Sequence, residues 1–313
     1  MALFVPRRQS ATPLLMILCV FFLFSISIQK GYIPVMKFTW PSQISQESLS
    51  SAPTEKKSHI GKITMLYGDL PVYERALKGH DRHNEVHGYG MTVLRKQLLP
   101  GYWSKPAYIL SRLLEELAKP DGERLEWLVW IDIDVLIMNY KIPLEIFLPP
   151  RTHSHINCMV TNDHRGLNNG VFFLRVCDWS IWLMTACLGY QNSGCRASGK
   201  LRTEDQGALE NLIAEDQFSK NTIHVPQRWF NAFAGYRDST LLKTTKEKPN
   251  SVTEGDLLVH FAGNKQTRID TMTKWLKLSE KHLPTWELDL KDTWYRKDIK
   301  WFWESNSTSE AQS

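Results

Sequence analysis

Two aspartates interrupt a long apolar stretch of the chain, WLVWIDIDVLIMN, which runs from Trp127 to Asn139. The apolar residues on both sides of Asp132 and Asp134 are typical of a strand that is buried on both faces. Since residues i and i+2 of a strand point to the same face, the two carboxylates project together. Paired carboxylates repel each other unless a cation compensates them, so the pattern predicts a hard divalent cation such as Mg²⁺ or Mn²⁺, with positions left for phosphate oxygens. A bend at the protein surface is the alternative interpretation.

Alternating strands and helices are predicted around this stretch. Residues 62–68 have strand character, and Ser104–Leu117 has helical spacing with Ser104 as its N-cap. Further strands are predicted at residues 156–161, 170–176, 221–226 and 256–263, and further helices at residues 179–188 and 205–214. This order predicts an α/β fold with a mainly parallel central sheet. Open sheets of this kind bind ligands at the carboxyl ends of their strands, where Asp132 and Asp134 lie.

Composition and charge exclude some classes of protein. Of the 313 residues 42% are hydrophobic and 23% are charged, which argues against a disordered chain. The formal net charge of +5 is spread along the sequence, and no basic run is dense enough to predict binding to nucleic acid.

An uncharged apolar stretch follows Arg7 and Arg8 near the start of the chain. It predicts a single transmembrane helix that acts as a signal anchor, with the positive residues in the cytoplasm. A cleaved signal peptide is the alternative. The predicted parts are a cytoplasmic tail (1–12), the anchor (13–29), a stem (30–58), a lumenal domain (59–303) and a polar tail (304–313).

Two features agree with a lumenal, oxidising environment. Asn306 begins a glycosylation sequon, and four cysteines outside the anchor form an even set: Cys158, Cys177, Cys187 and Cys195. Cys187 and Cys195 bracket a turn-rich loop, so we expect a disulfide between them. Four free buried thiols are the alternative.

Eight stretches, in this order, resemble glycosyltransferase family 34, which contains fungal Golgi galactosyl- and mannosyltransferases and plant xyloglucan xylosyltransferases. They are ITMLYG, HDRHNEVHGYG, YWSKPAYIL, WLVWIDIDVLIMN, DHRGLNNGVFFLR, TEDQGAL, VPQRWFNAF and GDLLVHFAGNK, and they cover roughly residues 60–280. The resemblance implies a GT-A fold in a single-pass type II protein of the Golgi membrane, with a lumenal catalytic domain. It also implies Mn²⁺-dependent, retaining transfer from a UDP-sugar or GDP-sugar to a glycan on a glycoprotein or polysaccharide, and complexes with other glycosyltransferases.

The resemblance also implies which residues bind the metal ion and the donor diphosphate. His260 would complete the metal site with Asp132 and Asp134, and Lys265 would contact the donor diphosphate together with Asp132. The alternatives are a structural histidine and a solvated loop lysine. Tyr67 and Gly68, at the end of the first strand, are expected to contact the nucleotide by analogy of fold.

The motifs DHRGLNNGVFF and TEDQ supply the remaining candidates. Asn168, Asn169 and Asp163 are expected to hydrogen-bond sugar hydroxyls, although Asn169-Gly170 is also a turn signal. Asp205 and Gln206, with Asn169, are the catalytic candidates, because the family places such groups near the reacting carbon. The sequence TEDQ also reads as a capping box from Thr203 to Gln206, and both interpretations can hold together.

Two other functions compete with a glycosyltransferase. A metal-dependent phosphohydrolase would need further His and Asp ligands at short spacing, which the sequence lacks. An inactive carbohydrate-binding membrane protein would not need the intact Asp132, Asp134 and His260. The intact pair of Asp132 and Asp134 and the similarity of the motifs to those of the fungal members favour galactose or mannose over xylose as the donor sugar. The aromatic stretch DTWYRKDIKWFWESN is expected to pack on the domain rather than on a glycan or a membrane.

Overall fold

The computed structural model describes residues 58–190, 204–234, 250–263 and 265–310. The predicted cytoplasmic tail and signal anchor lie outside these ranges, as does the predicted stem up to residue 57. Within these ranges, none of the helices combines the length and the apolar character that crossing a membrane requires.

The described chain alternates between strands and helices. The strands are β1 (Ile60–Met65), β2 (Gly90–Leu94), β3 (Trp127–Ile131), β4 (Val135–Ile137), β5 (Cys158–Asp163), β6 (Gly166–Arg175), β7 (Thr222–Val225) and β8 (Leu258–His260). The α-helices are α1 (Pro71–His87), α2 (Ser104–Leu117), α3 (Asp178–Gly189), α4 (Glu204–Ile213), α5 (Asp216–Ser219), α6 (Lys265–Ser279) and α7 (Tyr295–Glu310).

Six of the strands form a central sheet in the order β2-β1-β3-β6-β5-β7. β1 is parallel to β2 and β3, and β5 is parallel to β7, whereas β6 is antiparallel to both of its neighbours. The predicted mainly parallel sheet is therefore confirmed. Because β6 runs against the others, its first residues lie beside the carboxyl end of β3, where the predicted site residues are.

β3 lies in the middle of the core, as its apolar sequence predicts. Each of its residues is at most 2% exposed. Trp127, Val129 and Ile131 pack in a cluster that includes residues of β6 and α7, while Leu128 and Trp130 pack in a second cluster with residues of α2, α3 and α4. Full burial of side chains of this size stabilises the fold by roughly 1.5–3 kcal/mol each.

Two details of the predicted elements are wrong. Ser104 is the first helical residue after a 3₁₀ turn and not the N-cap, since its Oγ accepts the N–H groups of Leu98 and Leu99 at 3.0 Å. The strand predicted at residues 256–263 is shorter and pairs with β4 in a separate two-stranded sheet. It starts late because the buried Asp256 side chain binds Arg228, an arrangement that belongs to a loop.

The aromatic stretch near the C-terminus packs on the domain, as predicted. It forms α7, in which Tyr295, Ile299 and Trp303 are buried in the cluster that covers β3. α7 continues to Glu310, beyond the domain end predicted at residue 303, so the first part of the polar tail is helical.

The structure contradicts the predicted disulfide at Cys187. Cys158, Cys177 and Cys187 are free thiols, and Cys195 lies outside the described residues. The Sγ atom of Cys187 is directed inward, 3.9 Å from the backbone oxygen of Asp205, and burial raises the pKa of the thiol to about 12.

Candidate metal centre and active site

The three predicted metal ligands lie together. Asp132, Asp134 and His260 each offer one ligand atom, and these atoms all lie within 4.8 Å of one another. Asp132 follows β3, and Asp134 immediately precedes β4. Because β4 pairs with β8 in a register that sets Val135 opposite His260, the imidazole reaches the two carboxylates.

Hydrogen bonding assigns the tautomer of His260. Its Nδ1 lies 2.7 Å from Oδ1 of Asn231, whose Nδ2 donates to Oγ1 of Thr161 at 2.7 Å. Since Asn231 accepts through Oδ1, Nδ1 of His260 is the donor, and the neutral form of the ring has its lone pair on Nε2. That lone pair faces Oδ1 of Asp134 at 3.4 Å. A neutral imidazole held in this way is the form that binds a divalent cation.

Asp134 is only 5% exposed, yet it is held as a carboxylate. Burial alone would raise the pKa of Asp134, and the positive charge of Arg268, paired with this carboxylate, opposes that increase. Nη1 of Arg268 lies 2.8 Å from Oδ2 of Asp134. The other oxygen, Oδ1, is the one directed to His260.

Asp132 is more open, with a side chain that is 32% exposed. Its Oδ1 accepts hydrogen bonds from Nε1 of Trp130 at 2.7 Å and from Nζ of Lys105 at 3.1 Å. Both bonds go to one oxygen, which leaves Oδ2 for a ligand. Two carboxylate oxygens and one imidazole nitrogen form a mixed donor set that suits Mn²⁺ as well as Mg²⁺.

Lys105 is a site residue that the sequence reasoning missed. It lies in the first turn of α2, is 4% exposed, and its Nζ contacts the backbone oxygen of Asn169 at 2.6 Å. The same atom lies 3.9 Å from Oδ2 of Asp205, so Lys105 connects Asp205 with Asp132. The signal in the sequence was a lysine next to Pro106 at the start of an apolar helix, a position usually interpreted as solvated.

The three catalytic candidates also lie together. Nδ2 of Asn169 donates to Oδ2 of Asp205 at 2.9 Å, and the backbone N–H of Asn169 faces Oε1 of Gln206 at 3.4 Å. Burial raises the pKa of Asp205, while Lys105 and Asn169 oppose that increase. Thr203, the other half of the predicted capping box, lies outside the described residues.

Asn168 and Asp163 are occupied by protein groups. Nδ2 of Asn168 donates to Oδ2 of Asp163 at 2.9 Å, and its Oδ1 accepts from Gly170 N–H and from Nδ2 of Asn231. Asn168 is 4% exposed. In this arrangement it supports Asn231, which in turn orients His260.

Gly170 provides the space that His260 occupies. A Cβ atom at this position would lie 2.1 Å from Cε1 of His260, so only glycine allows the imidazole to approach. The Asn169-Gly170 pair, which also reads as a turn signal, lies inside β6, not in a turn.

Tyr67 and Gly68 follow β1 at the same edge of the sheet. Ile63 pairs with Trp130, so the chain after Met65 runs beside the region of Asp132. Tyr67 is 36% exposed, and Gly68 has a φ of 75°, which favours glycine. Lys265 begins α6, and its side chain lies outside the described part of the chain.

The architecture defines the class of protein first. A glycosyltransferase involved in the glycosylation of the major capsid of PBCV-1 has a similar fold, with a TM-score of 0.50 at 14% sequence identity. The match covers 67% of this chain and 98% of that structure. The chain therefore has a glycosyltransferase-like α/β fold with a mainly parallel central sheet.

The sequence comparisons show which family the chain resembles. Residues 148–270 match the model of the galactosyl transferase GMA12/MNN10 family, which confirms the resemblance to glycosyltransferase family 34. Galactomannan galactosyltransferase 1 of Cyamopsis tetragonoloba is 28% identical over 166 residues, which are 45% of this chain and 36% of that protein. Xyloglucan 6-xylosyltransferase 4 of Arabidopsis thaliana is 30% identical over 160 residues, which are 46% of this chain and 29% of that protein. The matched region thus spans about a third of these relatives.

Proposed function

We propose that this protein is a Mn²⁺-dependent glycosyltransferase that moves a hexose, galactose or mannose, from a nucleotide-sugar to a glycan acceptor with retention. The observation that carries the proposal is the cluster of Asp132, Asp134 and His260 at the edge of a glycosyltransferase-like sheet. The family match supports a sugar-transfer reaction. The named activities of the relatives include transfer of galactose and of xylose, so the choice of hexose is part of the proposal.

The residues of the site suit this chemistry. Asp132, Asp134 and His260 would hold the metal ion, which supplies positive charge to the departing nucleoside diphosphate when it is bound. Lys105 adds a buried positive charge beside Asp132. Asp205 lies on the other side of Lys105 and faces Asn169, where its negative charge would stabilise the oxocarbenium-like centre of the sugar or orient the acceptor hydroxyl.

The donor is tested directly with the full-length protein. Hydrolysis and transfer are measured with UDP-galactose, GDP-mannose and UDP-xylose, in Mn²⁺ and after removal of the metal with EDTA. We expect turnover of one hexose donor in Mn²⁺ and its loss in EDTA. Absence of turnover with all three donors would favour a carbohydrate-binding protein, and activity on a simple phosphate ester would favour a phosphohydrolase.

We also propose a location in the Golgi membrane with the catalytic domain in the lumen. Residues 13–29 after Arg7 and Arg8 support this topology. Protease added to sealed microsomes should remove only a short N-terminal fragment. Digestion of the catalytic domain in intact microsomes would refute the orientation.

A further inference from the structure

Arg268 is the one cation on α6 for which the structure describes a contact with a metal ligand. It lies in the first turns of this helix, which begins at Lys265 directly after the segment that follows β8. Its Nη1 pairs with Oδ2 of Asp134 at 2.8 Å, and its Nη2 donates to the backbone oxygen of Gly263 at 3.0 Å. The guanidinium therefore lies at the metal centre, on the side of Asp134 away from His260.

The hydrogen bonds of Arg268 are incomplete. A guanidinium has five N–H donors, and its Nε–H is buried with no hydrogen-bond partner among the described residues. The described contacts use one N–H of Nη1 and one N–H of Nη2, and the side chain is 19% exposed, so the remaining N–H groups of these two nitrogens are the ones that can bind an additional anionic group.

The charges of the site indicate which anion it is. The carboxylates of Asp132, Asp134 and Asp205 exceed the cations of Lys105 and Arg268 by one negative charge. A divalent cation on the three ligands changes this sum to one positive charge, which favours an anionic group. The diphosphate is the anionic group of the proposed donor, and without Arg268 the same sum of charges would be zero.

We propose that Arg268 is a donor-binding residue whose guanidinium contacts the diphosphate of the nucleotide-sugar while it holds Oδ2 of Asp134. Arginine suits this role because its planar fork can hydrogen-bond a carboxylate and a phosphate at the same time. The position of Arg268 near the N-terminus of a 15-residue helix adds a partial positive charge that also favours an anion. This inference rests on the proposed function, because it needs a nucleotide donor.

The test separates nucleotide binding from metal binding in the full-length protein. Calorimetry measures the affinity for UDP and for GDP at saturating Mn²⁺, and electron paramagnetic resonance measures Mn²⁺ binding without nucleotide. Arg268→Gln should weaken binding of the nucleoside diphosphate roughly ten- to a hundredfold, as expected for loss of charge-assisted hydrogen bonds, and should weaken Mn²⁺ binding without nucleotide far less or not at all. Arg75→Gln is the matched control, since Arg75 pairs with Glu280 just beyond the end of α6 and is not at the site.

Two results would overturn the inference: nucleotide affinity of Arg268→Gln equal to that of the wild type, or a loss that is fully explained by weaker Mn²⁺ binding. The second result would show that Arg268 only positions Asp134. If Arg268→Gln fails to fold, Arg268→Lys keeps the charge without the fork, and it should still weaken nucleotide binding with Mn²⁺ binding retained. Wild-type protein that binds neither UDP nor GDP in Mn²⁺ would overturn the proposed function itself, and this inference with it.

Discussion

The behaviour of single residues at the metal centre follows from how they are held. His260 is oriented by Asn231, and Asn231 by Thr161 and Asn168, so the imidazole presents one fixed nitrogen. The carboxylate of Asp134 contacts two residues: Oδ1 lies towards His260 and Oδ2 pairs with Arg268. Such supporting contacts fix the geometry of ligands before a metal ion arrives.

Asp134→Asn should remove the metal site and spare the fold. The amide keeps an oxygen for Arg268 but loses the charge that a divalent cation needs. We expect turnover to fall roughly a hundred- to a thousandfold, which corresponds to about 2.7–4 kcal/mol in activation free energy, as for loss of an electrostatic stabiliser. Mn²⁺ should no longer raise the melting temperature. Asp289→Asn, on an exposed ion pair with Lys141, is the control that should retain both properties. Near-normal transfer by folded Asp134→Asn would exclude Asp134 as a ligand.

Gly170→Ala should displace His260 rather than merely stiffen β6. The added Cβ would overlap the imidazole, and overpacking of this kind costs about 1–3 kcal/mol of unfolding free energy. We expect a lower melting temperature together with weaker Mn²⁺ binding. Gly189→Ala is the matched control, because a Cβ there meets nothing within 4 Å. Wild-type Mn²⁺ affinity in Gly170→Ala would mean that His260 is not a ligand.

At the scale of elements, side chains of α1 hydrogen-bond the backbone of the segment that follows Asp134. Three histidines on one face of this helix, His80, His83 and His87, bond through Nε2 to backbone carbonyl groups. The acceptors are the oxygens of Val135, Ile142 and Tyr140. These bonds secure β4 and the chain after it, and so the position from which Asp134 reaches the metal centre.

The fold should lose stability in mild acid through these histidines. Burial lowers the pKa of His80 to about 3, with a further contribution from the charge of Lys62, and burial also lowers the pKa of His83 and His87. Because the folded state favours the neutral form, the unfolded chain binds more protons below pH ~6.5, and stability falls as the pH falls. His80 alone should cost about 2 kcal/mol between pH 7 and pH 5.

His80→Gln tests this pH dependence, since glutamine can still donate to Val135 but does not titrate in this range. Chemical denaturation at pH 7 and at pH 5 measures the free energy of unfolding of both proteins. The variant should lose less stability than the wild type on going to pH 5. Equal losses in the two proteins would remove His80 from the explanation.

At the scale of the whole molecule, α7 closes the core from the C-terminal end. Tyr295, Ile299 and Trp303 are buried against the layer that includes β3, and the hydroxyl of Tyr295 accepts the N–H of Leu257 at 2.8 Å. The C-terminal helix is therefore part of the same core as the central sheet and stabilises β3, the strand that Asp132 follows.

A chain that ends after Asp292 should not fold stably. It loses three buried side chains worth roughly 1.5–3 kcal/mol each, a total comparable with the 5–15 kcal/mol that stabilises a typical domain. A chain that ends after Glu310 keeps all of α7 and should melt like the full-length protein. Thermal melts of both truncations test this, and a wild-type melting temperature for the shorter chain would show that α7 is dispensable.

The sequence by itself determined the features that depend on local pattern. The unbroken apolar run of Trp127–Ile131 predicted a doubly buried strand, as observed. The spacing of Asp132 and Asp134 predicted carboxylates that lie together, and they do, but the two residues lie in a turn between β3 and β4 and not within one strand. The helix at Ser104–Leu117 was predicted with the bounds that the structure has. The order of the motifs predicted the resemblance to glycosyltransferase family 34, because a shared series of motifs is more specific than any one of them.

Only the tertiary structure decided which distant residues meet. Three residues from separate parts of the chain belong to the site: Lys105, Arg268 and Asn231. Their local sequence does not indicate how close their side chains come to Asp132, Asp134 and His260. The inward direction of Cys187 was decided in the same way, against the prediction from loop spacing. Periodicity records which face of an element is buried, but the partners on that face depend on how elements far apart in the chain pack together.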